Sequence, residues 1–452
     1  MIRSYYTARR RYEIVPSRHA AFPGANTFTV IVGKNGTGKS RLLQGVVSEI
    51  LRDRVDPDVF DREERGGRLH AAHRRVNSDS QPRKVICVST SPFDKFPLLR
   101  RNARSDDYVY LGLRGLPSQN LSTAYMSRII ASLIRTVSHS SGRARSLADV
   151  LRYLGYDGTI YCTFYIGVPA RISEAIFSSA PISETLEKAV VMPTFELSNT
   201  IRQLREAPTK DVREAMRIVE RFKRENRKPR VDLTIDRHGV RNDQIDIQDM
   251  LLLVQTGVAR LRDVSLRKSN VEEDVFRISE ASSGEQSVIM GLLGIASEIE
   301  DGSLICIDEP EVCLHPEWQE RYVHLLLETF SSRKECQFII ATHSPQVVAE
   351  LPQANCFVMN MADGIAVGTE SLSRRSIDFQ LARVFDAPGH NNEFLNRTAL
   401  NLFSRITSKK RLDDVELSDF ELLKGVVGKL RDGDPLRDLI AAISEMRKTY
   451  GR

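Results

Sequence analysis

Four short stretches of this sequence have the residue types and spacing to handle a nucleoside triphosphate. The first is Gly33-Lys34-Asn35-Gly36-Thr37-Gly38-Lys39-Ser40, a complete Gly-x-x-x-x-Gly-Lys-Ser phosphate loop. Its glycines let the chain turn tightly and bring backbone N–H groups against phosphates with no Cβ in the way. Lys34 to Gly38 would form the cradle, Lys39 would bridge the β- and γ-phosphates, and the Ser40 hydroxyl would ligate Mg2+. The second stretch is Leu304-Ile305-Cys306-Ile307-Asp308-Glu309, four apolar residues followed by two carboxylates. Asp308 suits Mg2+, directly or through water, and Glu309 suits orienting or deprotonating an attacking water. The third, Ser282-Ser283-Gly284-Glu285-Gln286, suits a γ-phosphate held by another copy of the chain, so that ATP would be closed between two copies. The fourth is Thr342-His343-Ser344, where a neutral imidazole could hydrogen-bond the γ-phosphate or the attacking water.

These residues need particular elements behind them. Thr27 to Val32 is β-branched and apolar, a strand buried on both faces, and Ser40 to Ile50 reads as a helix, so the glycine loop has strand before and helix after. Leu304–Ile307 and Gln337–Ala341 read as further buried strands, with a helix over about Glu317–Phe330 between them. Lys84–Ser89 is another strand, ending at the turn Ser91-Pro92-Phe93-Asp94-Lys95-Phe96-Pro97. Asp53 to Arg83 is polar without a period and reads as a surface excursion. Helices are expected over Thr123–Val137, Leu147–Leu154 and Met250–Leu261, a half-buried strand over Val231–Ile235, and a helical tail from Arg374. The clearest amphipathic helix lies between Pro208 and Pro229, with Val212, Ala215, Met216, Val219 and Phe222 on one face and Arg213, Arg217, Arg221, Arg224 and Arg227 on the other. No aromatic residues interleave with those arginines, so base stacking is not indicated there.

The 452 residues, 41% hydrophobic and 27% charged, describe a soluble globular chain of more than one domain. No apolar run is long enough for a membrane helix and the N-terminus lacks a signal-peptide core, so a cytoplasmic protein without a membrane partner is expected. The six cysteines form no Cys-x-x-Cys pair, and neither a zinc site nor a disulfide framework is indicated. The formal charge of +6 permits a nucleic-acid partner without demanding one.

The order of the phosphate loop, Ser282–Gln286, Asp308-Glu309, Glu311 to His315-Pro316 and His343 resembles the head of an ABC-type ATPase of the soluble branch that includes SMC-like proteins, RecF and the OLD family. Within that branch the chain resembles the ATPases of Septu (PtuA-type) anti-phage systems, including those paired with retrons. The resemblance implies a P-loop α/β fold, a two-lobed head with a mixed sheet and flanking helices, a helical insertion and a helical C-terminal tail. It implies ATP and Mg2+ as ligands, Glu309 as catalytic base, His343 as switch histidine, and Asn35 at the γ-phosphate. Ser282, Ser283, Gly284 and Glu285 would contact nucleotide bound by the other protomer. Ala281 and Ser283 stand where the family carries leucine and glycine, and no glutamine follows the Lys84–Ser89 strand, where the family's lid glutamine would sit.

Four regions are expected: 1–137 with the phosphate loop, a mostly helical 138–275, 276–370 with the signature, Asp-Glu pair and His343, and a helical 371–452 suited to partner binding. The span from Lys39 to Asp308 is too short for a long coiled coil and carries no sustained heptads. Asp432-Gly433-Asp434 has the spacing of an OLD-type nuclease pair but reads as a turn, and Asp413, Asp414, Glu416, Asp419 and Glu421 read as a solvated face or helix-start charges. Any nuclease activity is therefore expected in a partner, and the Septu and retron resemblance implies an HNH nuclease, with a reverse transcriptase and its msDNA in a retron setting. The expected assembly is a homodimer or higher even oligomer. The alternatives are a RecF/SMC-like DNA-repair ATPase and a nucleotide-occupied scaffold that holds a toxin inactive.

Overall fold

The computed structural model describes residues 1–17, 19, 24–60, 74–99, 105–116, 121–169, 172–173, 176, 200–201, 203–205, 207–225, 227–269, 275–312, 314–409 and 412–450. The chain opens with β1 (Ile2–Tyr6), β2 (Arg11–Glu13) and the wholly buried β3 (Thr27–Val32). Helix α1 (Lys39–Leu51) is followed by β4 (Arg75–Ser78), β5 (Val85–Ser89) and β6 (Tyr108–Gly112). Helices α2 (Leu121–Ser138) and α3 (Ser141–Tyr153) lead into the long strand β7 (Tyr156–Ile166). Then come α4 (Thr209–Arg224), β8 (Arg230–Asp236), β9 (Gly239–Arg241), α5 (Ile247–Gln255), β10 (Ala259–Lys268) and β11 (Val275–Arg277). They are followed by α6 (Ser283–Glu298), β12 (Leu304–Asp308), α7 (Pro316–Thr329), β13 (Gln337–Thr342), β14 (Cys356–Asn360) and β15 (Ala366–Gly368). Three helices end the chain, α8 (Glu393–Lys409), α9 (Asp414–Val426) and α10 (Pro435–Tyr450).

The central sheet has seven strands in the order β15-β14-β3-β13-β12-β5-β6. Only β15 runs antiparallel to its neighbour. The central strands are apolar throughout because helices cover both faces. Phe28, Val30 and Val32 of β3 face the core shared with α2 and α6, whereas Ile31 faces the core under α1. Cys87 and Cys306 lie in register on β5 and β12, both buried. The register also aligns the strand ends. Asp308 is level with Ala341 and Ser89, and Thr342 with Val32. The loops after β3, β5, β12 and β13 therefore emerge along one carboxyl edge, where sheets of this kind hold ligands.

A second, antiparallel sheet has the order β11-β10-β7-β8-β9. It corrects the expectation of a mostly helical 138–275. In β7 every second residue from Tyr156 to Ile166 is buried, the period of a half-covered strand. The single helix expected over Met250–Leu261 ends instead at Gln255. Gly257 then turns the chain at φ +76°, and a Cβ there would lie 1.7 Å from Gln203 Oε1. A third sheet, β2-β1-β4, uses Arg75–Ser78 from the stretch read as a surface excursion, because β1 offers that segment an antiparallel partner. Residues 61–73 of that stretch lie outside the described residues. The tail is helical as expected, with its own core of Leu395, Leu402, Phe420, Leu423, Ile440 and Ile443. Asp413 and Glu416 form a capping box on α9, and Asp432 to Asp434 is a turn, with Gly433 at φ +82°.

Candidate ATP site

The phosphate loop leaves β3 at Gly33 and enters α1 at Lys39, with Gly36 at φ +80° and Gly38, the N-cap, at φ +96°. Both conformations suit glycine and would strain any other residue. Lys34, Asn35, Gly36 and Thr37 are exposed at the sheet edge, while Lys39 is buried. The Lys39 ammonium donates to the carbonyls of Gly33 at 2.8 Å and Lys34 at 3.4 Å. Burial pulls it below its ordinary pKa, and the carboxylates of Glu309, Glu311 and Asp308 oppose that.

Ser40 Oγ donates to Asp308 Oδ1 at 3.1 Å, which joins the start of α1 to the end of β12. Asp308 is 2% exposed. Burial pushes its carboxyl up to about 7, the Ser40 hydrogen bond works against that, and Glu309, Asp94 and Glu311 push the same way as burial. A buried carboxylate facing a serine hydroxyl and other carboxylates is a donor set that a hard divalent cation would neutralise. The next residue, Glu309, has φ +51°, a left-handed conformation uncommon outside glycine. Hydrogen bonds hold it there, from its N–H to Ala341 O at 2.9 Å and to its carbonyl from Thr90 Oγ1 at 3.2 Å and the Val312 N–H at 3.3 Å.

His343 follows β13 at the same edge. Its backbone N–H donates to Glu311 Oε1 at 2.7 Å, and its Nδ1 lies 3.3 Å from that oxygen and 3.8 Å from Glu309 Oε1. Glu311 is buried, and among the described residues its Oε2 meets no partner. Ser344 Oγ donates to Gln319 Oε1 at 2.6 Å, and Gln319 in turn donates to Leu314 O, tying the loop before α7 to the His343 turn. Residues 33–40, Asp308, Glu309 and His343 are thus brought together.

Ser282 to Glu285 are placed differently. Ser282 caps α6, accepting from the N–H of Glu285 at 3.2 Å, and both Ser282 and Ser283 are exposed. Tyr156 OH donates to Glu285 Oε1 at 3.3 Å, and Gln286 is held between Ser122 and Ala281 O. Among the described residues no hydrogen bond joins Ser282–Glu285 to the phosphate loop. Sequence reasoning had given Thr90 no role. It stands directly after β5, where no glutamine was found, and only its tertiary contact with Glu309 marks it. Glu311 was legible as part of a motif, but its grip on His343 was not.

A family model described as "AAA domain, putative AbiEii toxin, Type IV TA system" matches residues 182–349. "Retron Ec83 probable ATPase" of Escherichia coli is 32% identical over 108 residues, covering 22% of this chain and 19% of that protein. "Septu protein PtuA" of Bacillus thuringiensis is 31% identical over 133 residues, covering 24% and 33%. "Retron Vc95 probable ATPase" of Vibrio cholerae serotype O1 biovar El Tor is 29% identical over 112 residues, covering 22% and 21%. The chain therefore spans between 19% and 33% of the length of these curated relatives. A solved SMC head bound to the C-terminal winged-helix domain of ScpA aligns at 16% identity and a TM-score of 0.27, covering 82% of this chain and 98% of that one. Stu0660 of Streptococcus thermophilus aligns at 8% identity and a TM-score of 0.33, covering 99% and 94%. The phosphate loop and the Asp-Glu strand end thus lie on one parallel-rich sheet, and over part of its length the chain is similar to retron and Septu ATPases.

Proposed function

We propose that this chain hydrolyses ATP with Mg2+ and closes head to tail with a second copy to do so, gating a separate effector, a nuclease, in anti-phage defence. The observation that carries this reading is the Ser40–Asp308 hydrogen bond, which brings the phosphate-loop helix and the acidic strand end into one site. The names of the retron and Septu relatives support the defence setting. The phosphates of ATP lie along the N–H groups of Lys34 to Lys39, and Lys39 exchanges its loop carbonyls for phosphate oxygens. Ser40 and Asp308 would hold Mg2+, which would supply positive charge against the phosphates. Glu309 takes a proton from the water that attacks the γ-phosphorus, as the bond to the bridging oxygen of ADP breaks. His343, oriented by Glu311, donates to the γ-phosphate. Ser282, Ser283 and the Gly284 N–H of the second copy, with Glu285 behind them, complete the cradle. Region 371–452, with its own core, is the surface offered to the effector.

Glu309→Gln is the direct test. Phosphate release should fall by about 10² or more, and size-exclusion chromatography with ATP should show a trapped dimer. Hydrolysis at the wild-type rate would remove Glu309 from its role. A second reading, a nucleotide-occupied scaffold that holds a toxin inactive, is favoured by Ala281 and Ser283 at the signature. ATP carried through purification with turnover near zero would select it.

A further inference from the structure

The arginine-rich face of α4 is largely occupied by its own surroundings, with Arg217 paired to Glu214, Arg221 to Asp249 and Arg227 to Glu225. The second sheet offers a different surface. Its inner face is apolar, and its outer face presents aromatic rings and arginines in register. Tyr161 and Tyr165 project from the outer side of β7, and Tyr165 is 38% exposed. Arg260 lies directly across from Tyr165 on β10. Arg262, two residues on, shares that face by strand alternation, and the register shift between Leu261 and Asp263 adds Asp263 to it. The guanidinium carbons of Arg260 and Arg262 sit 5.7 Å and 5.6 Å from the Tyr165 ring centre, and that of Arg267 sits 5.6 Å from Tyr161. On the adjacent strand Arg277 pairs with Asp263 at 2.8 Å, and Arg267 reaches Asp157 at 3.9 Å. Exposed pairs of this kind are weak and yield readily to a phosphate.

We propose that this outer sheet face binds single-stranded nucleic acid, with Tyr161 and Tyr165 stacking bases and Arg260, Arg262, Arg267 and Arg277 taking phosphates. Flat rings and guanidinium planes side by side match unstacked bases, which a duplex keeps inside its helix. Tyr161 and Tyr165 are four residues apart on one strand, about 13 Å, so they serve as separate stacking positions along an extended strand. The face also leads along the chain into the Ser282–Glu285 segment. Arg277 ends β11, and Ser282 begins the α6 cap just after the short turn Ile278–Glu280. A strand bound across β10 and β11 therefore bears on the segment that would reach the second copy's nucleotide. This last link alone rests on the proposed ATPase function.

The test uses the full chain without nucleotide and reads fluorescence anisotropy with oligothymidylate, oligouridylate and a duplex of matched length across a salt series. Single strands should bind more tightly than the duplex, and the two single-stranded arms separate DNA from RNA. Tyr165→Ala should weaken single-strand binding on the order of tenfold, and Tyr165→Phe should restore it. Arg260→Gln with Arg262→Gln should reduce the salt slope by about 1.4. Equal or tighter duplex binding, or a folded Tyr165→Ala protein that binds single strands normally, overturns the proposal. An unchanged salt slope does so too. Because binding is read without ATP, lost turnover with intact binding strikes the ATPase reading alone, and lost binding with intact turnover strikes this one alone.

Discussion

Asp308→Asn should make the ligand-free protein more stable at alkaline pH. Asp308 is almost fully buried, and its carboxyl is pushed from an ordinary 3.8 to about 7. A carboxyl whose folded pKa lies above its unfolded value binds its proton more tightly when folded. Its stabilising contribution is then complete below about pH 4 and is lost as pH rises through about 7. At 1.36 kcal/mol per unit the loss amounts to roughly 4 kcal/mol. Asparagine carries no charge at any pH and keeps an oxygen for the Ser40 hydroxyl. In EDTA at pH 8 the variant should therefore exceed wild type by roughly 2 to 4 kcal/mol, and the gap should close near pH 4. Urea midpoints of both proteins across pH 4 to 8 measure the difference, since groups away from the site titrate alike in the two. Adding Mg2+ and ATP should raise the midpoint of wild type and leave the variant almost unmoved. A gap that is absent at pH 8, or equal at pH 5 and pH 8, would refute the claim that Asp308 is an uncompensated buried carboxylate.

Two further outcomes follow from the packing around the site. Lys84 and Glu298 form a buried pair at 2.6 Å that ties the start of β5 to the end of α6, so Lys84→Met should cost about 3 to 5 kcal/mol. The double variant with Glu298→Leu should recover most of that in thermal denaturation, and a double as unstable as the single would count against the pair. Thr90→Val removes the hydroxyl that holds the Glu309 carbonyl. It should lower turnover by about tenfold or more while ATP affinity stays unchanged, with Thr90→Ser restoring activity. An unaffected rate would leave Thr90 without a role.

The phosphate loop, the Asp-Glu strand end and the buried central strands were legible because their signals are local. A glycine pattern sets the backbone of its own loop, and an uninterrupted apolar run needs cover on both faces wherever it lies. Of the second sheet only β8, read as the half-buried strand Val231–Ile235, was legible, and the rest was hidden for the opposite reason. Thr, Tyr and Arg alternate with apolar residues in β7 and β10, and only pairing across the sheet turned that alternation into strands. The same non-locality hid β4, whose four residues owe their strand to β1.

By itself the sequence determined which residues can hold phosphates and a cation, since Gly36, Gly38, Lys39, Ser40 and Asp308 carry that chemistry in their own side chains or in their lack of one. It also determined that β3 and β12 would be buried. Tertiary structure alone decided which groups meet. Parallel register sets Asp308, His343 and the phosphate loop on one edge, and contacts from Thr90 and Glu311, distant in the chain, hold Glu309 and His343 in place. Register and long-range hydrogen bonds depend on which strands lie side by side, and no local stretch of sequence specifies that.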